Sequence, residues 1–192
     1  MSLNTPKITE LPIMETFYSI QGEGFYAGRA AYFIRIAGCD VGCVWCDVKD
    51  SWDKNLHEII KVDNLLNQVK ESKTDFVVIT GGEPGLYDLN YLTQKLNNLN
   101  IEIAIETSGA YELKGNFDWI TLSPKKFKKP LKSVISQANE LKIIVFNKSD
   151  FDWAETYASL VNPNCKLFLQ TEWDKKETNY PLVFDYILNN PN

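Results

Sequence analysis

Apolar residues along this chain follow two rhythms. Short runs of β-branched and aromatic residues, each closed by turn residues, predict six strands. They are Ala31–Ala37 (AYFIRIA), Phe76–Thr80 (FVVIT), Ile101–Thr107 (IEIAIET), Trp119–Ser123 (WITLS), Leu141–Phe146 (LKIIVF) and Lys166–Gln170 (KLFLQ). Between them, apolar residues recur at helical spacing: Val62, Leu65, Leu66 and Val69; Leu89, Leu92, Leu96 and Leu99; Leu131, Val134, Ile135 and Ala138; Ala154, Tyr157, Ala158 and Val161. Such stripes are the buried faces of amphipathic helices. Strands alternating with helices imply a mostly parallel sheet with right-handed crossovers. Six such units are too few for a closed eight-stranded barrel. The expected α/β fold is an open, partial TIM-type barrel with helices outside; a flat doubly wound sheet is the second choice.

Length and composition narrow this picture without redirecting it. A chain of 192 residues with 44% hydrophobic content suits a single domain over residues 1–192. A net charge of −5 gives no pull toward nucleic acid or anionic membranes. No run of roughly 18 apolar residues is present to span a bilayer. The first residues, MSLNTPKITELPIMETF, lack the charged-then-apolar layout of a secretory signal, so the expected location is cytoplasmic. Thiols there stay reduced, and clustered cysteines suggest metal or redox chemistry.

In parallel α/β folds, ligands sit beyond the carboxyl ends of the strands. The segment after each predicted strand is therefore informative. GCDVGCVWC comes after the first, GGEPG after the second, SGAY after the third, PKK after the fourth and TEW after the sixth. Three of the four cysteines, Cys39, Cys43 and Cys46, fall in the first of these segments with the spacing C-x3-C-x2-C. A zinc site wants four ligands, and the single histidine, His57, makes no zinc pattern with them. A ferredoxin-like cluster would need Cys165 as a fourth ligand, although that residue reads as an ordinary half-buried thiol. The third reading is a four-iron cluster with three protein thiolates and one iron left open to a small molecule.

The cysteine spacing after the first strand resembles the radical S-adenosylmethionine superfamily, as do Trp45 before the third cysteine and the segment TGGEP (Thr80–Pro84). That resemblance implies a [4Fe–4S] cluster on Cys39, Cys43 and Cys46. It also implies S-adenosylmethionine chelated to the open iron and cleaved to a 5′-deoxyadenosyl radical. The cofactors carry the chemistry and the protein positions them. Within the superfamily, FYSIQGEGFYAGRAAYFIRIAGC, CVWCD, VVITGGEP, IETSGA, LSPK, ANELK and FLQ, in that order, resemble the 7-carboxy-7-deazaguanine synthase family of queuosine and deazapurine biosynthesis. The implied reaction is ring contraction of 6-carboxy-5,6,7,8-tetrahydropterin with loss of ammonia, a lyase reaction that regenerates S-adenosylmethionine.

Site residues follow from this resemblance and from what each side chain can do. Ile20, Gln21 and Gly22 can meet the edge of a pterin ring with backbone groups and the Gln21 amide. Glu23 can accept from an exocyclic amine, its plainer reading being a solvated loop carboxylate. Arg35 matches a substrate carboxylate bidentately, its plainer reading being an internal salt bridge. Thr80 is a further substrate contact. The resemblance assigns Trp45, Cys46, Asp47, Gly82, Thr107, Ser108, Ser123, Pro124, Lys125 and Gln170 to S-adenosylmethionine. Lys126, Lys128 and Lys129 read as a solvated run or as a contact for an acidic electron donor such as flavodoxin. Trp153 and Trp173 read as core or interface. A homodimer is expected from the family alone.

Two departures stand out. Where the family carries Thr or Ser to ligate Mg2+, this chain has Val48, whose side chain offers no oxygen to a hard cation. The chain also stops at YILNNPN, where relatives usually continue through a short segment with a terminal strand, so the expectation is either a truncated sequence or a chain that lacks that segment. Two other functions fit parts of the pattern. A glycyl-radical activating enzyme would open the pocket to a protein loop. An iron–sulfur electron carrier would use four protein ligands and bind no S-adenosylmethionine.

Overall fold

A computed structural model describes residues 7–190. The segment read for a targeting signal and the chain's last residues lie partly outside that range. Eight strands form one sheet: β1 (Glu10–Ile20), β2 (Ala30–Ile36), β3 (Glu58–Lys61), β4 (Phe76–Gly81), β5 (Glu102–Thr107), β6 (Trp119–Leu122), β7 (Glu140–Val145) and β8 (Lys166–Thr171). Their order is β3-β1-β2-β4-β5-β6-β7-β8, so the sheet is open, with β3 and β8 at its edges. The six predicted strands are β2 and β4 to β8, and they pair in parallel. β1 and β3 were not predicted. β1 runs antiparallel to both β2 and β3 and extends the sheet at its N-terminal side.

Side-chain alternation sorts the sheet into two faces. Ile34, Ile36, Val77, Ile79, Ile103, Ile105, Leu122, Leu141 and Ile143 point one way into the main core. That core also holds the predicted stripes of α1 (Val62–Ser72), α2 (Asn90–Asn97), α3 (Lys132–Gln137) and α4 (Ser149–Ala158). Leu99 is the exception: it lies past the end of α2 and is exposed, whereas Val161, past the end of α4, still packs against the core. Each fully buried aliphatic side chain here contributes about 1.5–3 kcal/mol. Because all four helices share one core on one face, the flat doubly wound alternative, which needs helices on both faces, is excluded. A fifth helix, α5 (Lys176–Asn189), packs near β8 and was not predicted.

The opposite face has two levels. Toward the N-terminal ends of the strands it is apolar: Ala31, Phe33, Phe76, Val78 and Ala104, with Phe17, Tyr26 and Trp119 against them. Toward the C-terminal ends the same face carries Arg35, Thr80, Glu106 and Lys142. An aromatic floor thus supports a polar chamber. The loop joining β1 and β2 folds over that floor, with Phe25 stacked on Trp119 at 4.7 Å. Gly24 lets it pass: its φ is +67°, and a Cβ there would stand 2.1 Å from Glu140 Oε1.

Candidate functional site

A cavity of about 400 Å³ opens at the C-terminal ends of the strands. Every site residue predicted from the sequence lines it except Pro124, which is buried beside Ser123 and Lys125. The three clustered cysteines all border this one space and all are free thiols. Cys46 N donates to Cys43 O at 3.1 Å, so the loop turns back on itself between them. Among the described residues, no three His, Cys, Asp or Glu side chains stand as ligands to a single ion. A cubane needs no such convergence, since each thiolate takes its own iron. The donor set therefore fits a [4Fe–4S] cluster with three protein ligands. Burial pushes the Cys43 thiol up to about 11, against the nearby Lys125, and also raises Cys39. Cluster assembly must therefore release protons as thiolates form.

The loop after β4 closes against the cysteine loop. A Cβ on Gly82 would stand 2.3 Å from Gly38 O and 3.1 Å from Cys39 Cβ, so only glycine permits this approach. The next residue, Glu83, is 1% exposed. It accepts from Gly85 N (2.9 Å), Thr107 Oγ1 (2.5 Å) and Ser108 N (2.8 Å), and from the Ser108 hydroxyl. Thr107 and Ser108, predicted to bind the cofactor, direct their hydroxyl protons to Glu83. Both residues still border the cavity, and their hydroxyl oxygens accept from Gly109 N and Ala110 N. Beyond β6, Lys125 Nζ donates to Ser123 Oγ at 2.6 Å and lies 5.1 Å from the Trp45 ring centroid. Burial lowers this amine to about 8, with Cys43 pulling the other way.

A polar wall faces the cysteines' side of the chamber with residues from five segments. Glu23 Oε2 pairs with Lys142 Nζ at 2.6 Å, and Glu23 Oε1 accepts from Gln170 Nε2 at 2.6 Å. Glu106 accepts from Gln21 Nε2 at 3.0 Å and from Thr80 Oγ1 at 3.2 Å. Glu23 is therefore no loose solvated carboxylate. Burial works against its charge, but Lys142 and Gln170 outweigh burial and hold it below the usual carboxylate range. Arg35 Nε donates to Glu15 Oε1 at 2.7 Å. Among the described residues this is its one ion pair, so the paired terminal amines keep their fork. Glu83, Glu106 and Lys142 were missed from sequence. Their signal is a charge interrupting an apolar strand or a glycine-rich turn, the same signal that Arg35 carries.

Other candidates fall outside the chamber. Cys165 precedes β8, at the opposite ends of the strands, and packs in the helix-side core. His57 Nε2 lies 2.6 Å from Asp50 O and does not line the cavity. Lys126 pairs with Asp150 at 2.5 Å, and Lys128 with Asp40 at 2.8 Å. Lys126 is thus tied to the first turn of α4 and Lys128 to the cysteine loop, and the basic run is less free than its sequence suggests. Trp153 packs against the core, whereas Trp173 is 70% exposed.

Comparison with known proteins agrees with this arrangement. The model of the radical SAM superfamily matches residues 33–143. A 7-carboxy-7-deazaguanine synthase from Flavobacterium psychrophilum is 54% identical over 182 residues, covering 94% of this chain and 86% of that protein. One from Synechocystis is 50% identical over 177 residues, covering 92% and 85%. The crystal structure of QueE from Escherichia coli superposes with a TM-score of 0.85 at 31% identity, covering 95% of this chain and 91% of that one. The chain belongs to the radical SAM superfamily, which implies a [4Fe–4S] cluster and S-adenosylmethionine, and within it to the 7-carboxy-7-deazaguanine synthase family.

Proposed function

We propose that this chain converts 6-carboxy-5,6,7,8-tetrahydropterin to 7-carboxy-7-deazaguanine with loss of ammonia. The observation that carries this reading is the make-up of one cavity, where three free thiols share a chamber with Arg35 and the Glu23–Glu106 wall. When bound, the cluster and S-adenosylmethionine supply one-electron chemistry that removes a hydrogen atom from C6 of the pterin. The chain's own residues bind and orient. Cys39, Cys43 and Cys46 hold the cluster. Gly82 lets backbone approach the methionyl end of S-adenosylmethionine, and Trp45, Asp47, Ser123, Pro124 and Lys125 complete that side. Thr107 and Ser108, fixed by Glu83, border it. Gln170 would also serve the S-adenosylmethionine side while bonding Glu23 of the wall. Ile20, Gln21 and Gly22 run along the pterin edge, and Arg35 takes the pterin carboxylate. The lower aromatic level keeps water from the underside of the chamber.

The test is anaerobic reconstitution with iron and sulfide, then incubation with S-adenosylmethionine, reductant and the carboxytetrahydropterin. The expected product is 7-carboxy-7-deazaguanine, identified by mass, with ammonia released in equal amount. Cleavage of S-adenosylmethionine with no change in the pterin would overturn the substrate assignment. The electron-carrier alternative is disfavoured because Cys165 lies at the wrong end of the sheet to be a fourth ligand.

Arg35→Lys is expected to weaken pterin binding by about 1.5–3 kcal/mol, because lysine keeps the charge and loses the fork. The loss should appear in the KM for the pterin. Unchanged pterin affinity would leave Arg35 as a partner of Glu15 only.

Mg2+ finds no side-chain ligand at position 48, which leaves it water and substrate oxygens, or a neighbouring acid such as Asp47 or Asp50. Val48 lines the cavity without a side-chain oxygen, and its carbonyl already accepts from Ser51 Oγ at 2.7 Å. The expected result is weak dependence of activity on added Mg2+ after chelation, with a steeper dependence gained in Val48→Thr. Identical, tight activation curves for the two forms would show that another group carries the ion.

The same reading extends to the remaining partners. An acidic electron donor such as flavodoxin would dock over the cysteine loop, where Val44, Phe127 and Lys129 are exposed. The outward apolar residues of α5, Phe184 and Leu188 among them, support a homodimer. No described helix is long and apolar enough to cross a membrane, and the free cysteines suit a cytoplasmic location.

A further inference from the structure

Lys142 has no part in the binding scheme above, yet it lines the cavity and stands at the centre of the polar wall. It leaves β7 between Leu141 and Ile143, which face the helices, so its side chain crosses to the chamber. That side chain is 10% exposed. Its amine lies 2.6 Å from Glu23 and 3.8 Å from Glu106. The two acids reach it from different segments: Glu106 from within β5, Glu23 from the loop between β1 and β2.

A buried lysine between two acids could serve charge balance alone. Two features go beyond that. The first is the count. One ammonium faces two close carboxylates, so the wall keeps negative charge. The second is the pattern of hydrogen bonds. Each oxygen of Glu23 and Glu106 accepts one bond from a side chain of the wall: Lys142 and Gln170 for Glu23, Gln21 and Thr80 for Glu106. A carboxylate oxygen accepts two, so each acid keeps capacity for further donors. Two aligned acids with open capacity suit a ligand edge that carries several N–H donors side by side. The amino-pyrimidinone edge of a pterin is such an edge.

We propose that Lys142 is a positioning residue that draws the loop-borne Glu23 against the sheet beside Glu106, so that the two carboxylates together accept the N–H donors of the substrate's amino-pyrimidinone edge. This inference rests on the pterin reading of the site. The charged groups facing Lys142 are Glu106 from β5, Glu23 from the loop, Glu140 from its own strand and Lys125 from the loop after β6. Burial opposes the ammonium, but Glu106 and Glu23 outweigh it and keep Lys142 protonated above its usual range. Lys142 in turn keeps Glu23 ionised. Removing the ammonium lets the Glu23 carboxyl rise. The acid limb of pterin binding then moves to higher pH.

The experiment measures binding of the carboxytetrahydropterin, and of an analogue lacking the 2-amino group, to the reconstituted protein with S-adenosylmethionine present. Lys142→Met is expected to weaken pterin binding roughly 10- to 100-fold, the range for a bond to a charged group. The loss should fall mainly on KM, and the preference for the pterin over its deamino analogue should shrink. The acid limb should move upward, and Lys142→Arg should restore most of the affinity. Should Lys142→Met fold poorly, the double variant Glu23→Gln/Lys142→Met removes both charges at once. It is expected to bind the pterin as weakly as either single change and no worse. Unchanged affinity and unchanged discrimination in a folded Lys142→Met, or in the double variant, would overturn the proposal. Failure of the unmodified protein to bind the pterin would instead overturn the substrate reading, and this inference with it.

Discussion

Alanine at Cys39, Cys43 or Cys46 is expected to abolish iron incorporation and turnover, while Cys165→Ala retains both. The three cysteines come from one short loop and border one cavity. Removing any thiolate leaves two ligands for a cluster that already has an iron without a protein ligand. Cys165 has no route to replace it. It lies where β8 begins, among side chains facing the helices, with the sheet between it and the chamber. Its loss removes one small buried side chain, at a cost of about 1 kcal/mol. The measurement is iron and sulfide per chain after anaerobic reconstitution, with about four of each expected for the unmodified protein and for Cys165→Ala. A Cys165 variant that fails to assemble the cluster would revive the four-ligand carrier and displace the chamber as the cofactor site.

The sequence carried the parallel strands plainly because each is a compact apolar run between turns, and the parallel order came from the helices between them. β1 was hidden by its own composition. Pro12 lacks an N–H and demotes a strand signal, and the pairing with β2 shifts between Ile13 and Glu15, which breaks the alternation. β3 spans only Glu58–Lys61. α5 escaped for a different reason. It buries Asn179 and Val183 while Tyr180, Phe184, Ile187 and Leu188 face outward, so no single apolar stripe marks a core-facing side.

The site shows the same divide. Residues after the strands were legible because topology gathers them at one end. Residues inside strands were harder to read. Glu106 and Lys142 each occupy an alternate position of an apolar strand, which in isolation reads as a solvent-facing side chain. They become wall residues only because the second face of the sheet is covered below by the aromatic floor and across by the β1–β2 loop. That covering is made by contacts between distant segments, such as Phe25 N donating to Glu140 Oε2 at 3.0 Å, and no local pattern announces it. Arg35 was found because its side chain could be matched to a substrate group before its surroundings were known.

Glu83→Gln is expected to destabilise the protein by about 2–5 kcal/mol and to weaken S-adenosylmethionine binding with it. The carboxylate is 1% exposed and gathers two backbone N–H groups and two hydroxyls from the turns after β4 and β5. Glutamine preserves the shape but replaces one acceptor oxygen with an amide that only donates. Either orientation turns that NH2 group toward a backbone N–H, at Gly85 or at Ser108. The hydroxyls can rotate to accept from it, whereas the backbone groups cannot. A buried donor left without a partner costs about 1–3 kcal/mol, and the bonds that remain lose the strength of a charged acceptor. Against a typical total stability of about 5–15 kcal/mol this is a large share. The damage should also reach the ligand, because Gly82 on one side and Thr107 and Ser108 on the other are held at the cavity by this one group. Urea unfolding gives the stability change, and equilibrium dialysis of the reconstituted protein gives S-adenosylmethionine affinity. Glu83→Asp, which keeps two acceptor oxygens on a shorter stem, is expected to recover part of both. A Glu83→Gln protein with the unfolding midpoint and cofactor affinity of the unmodified chain would show that the two turns are held by something other than this carboxylate.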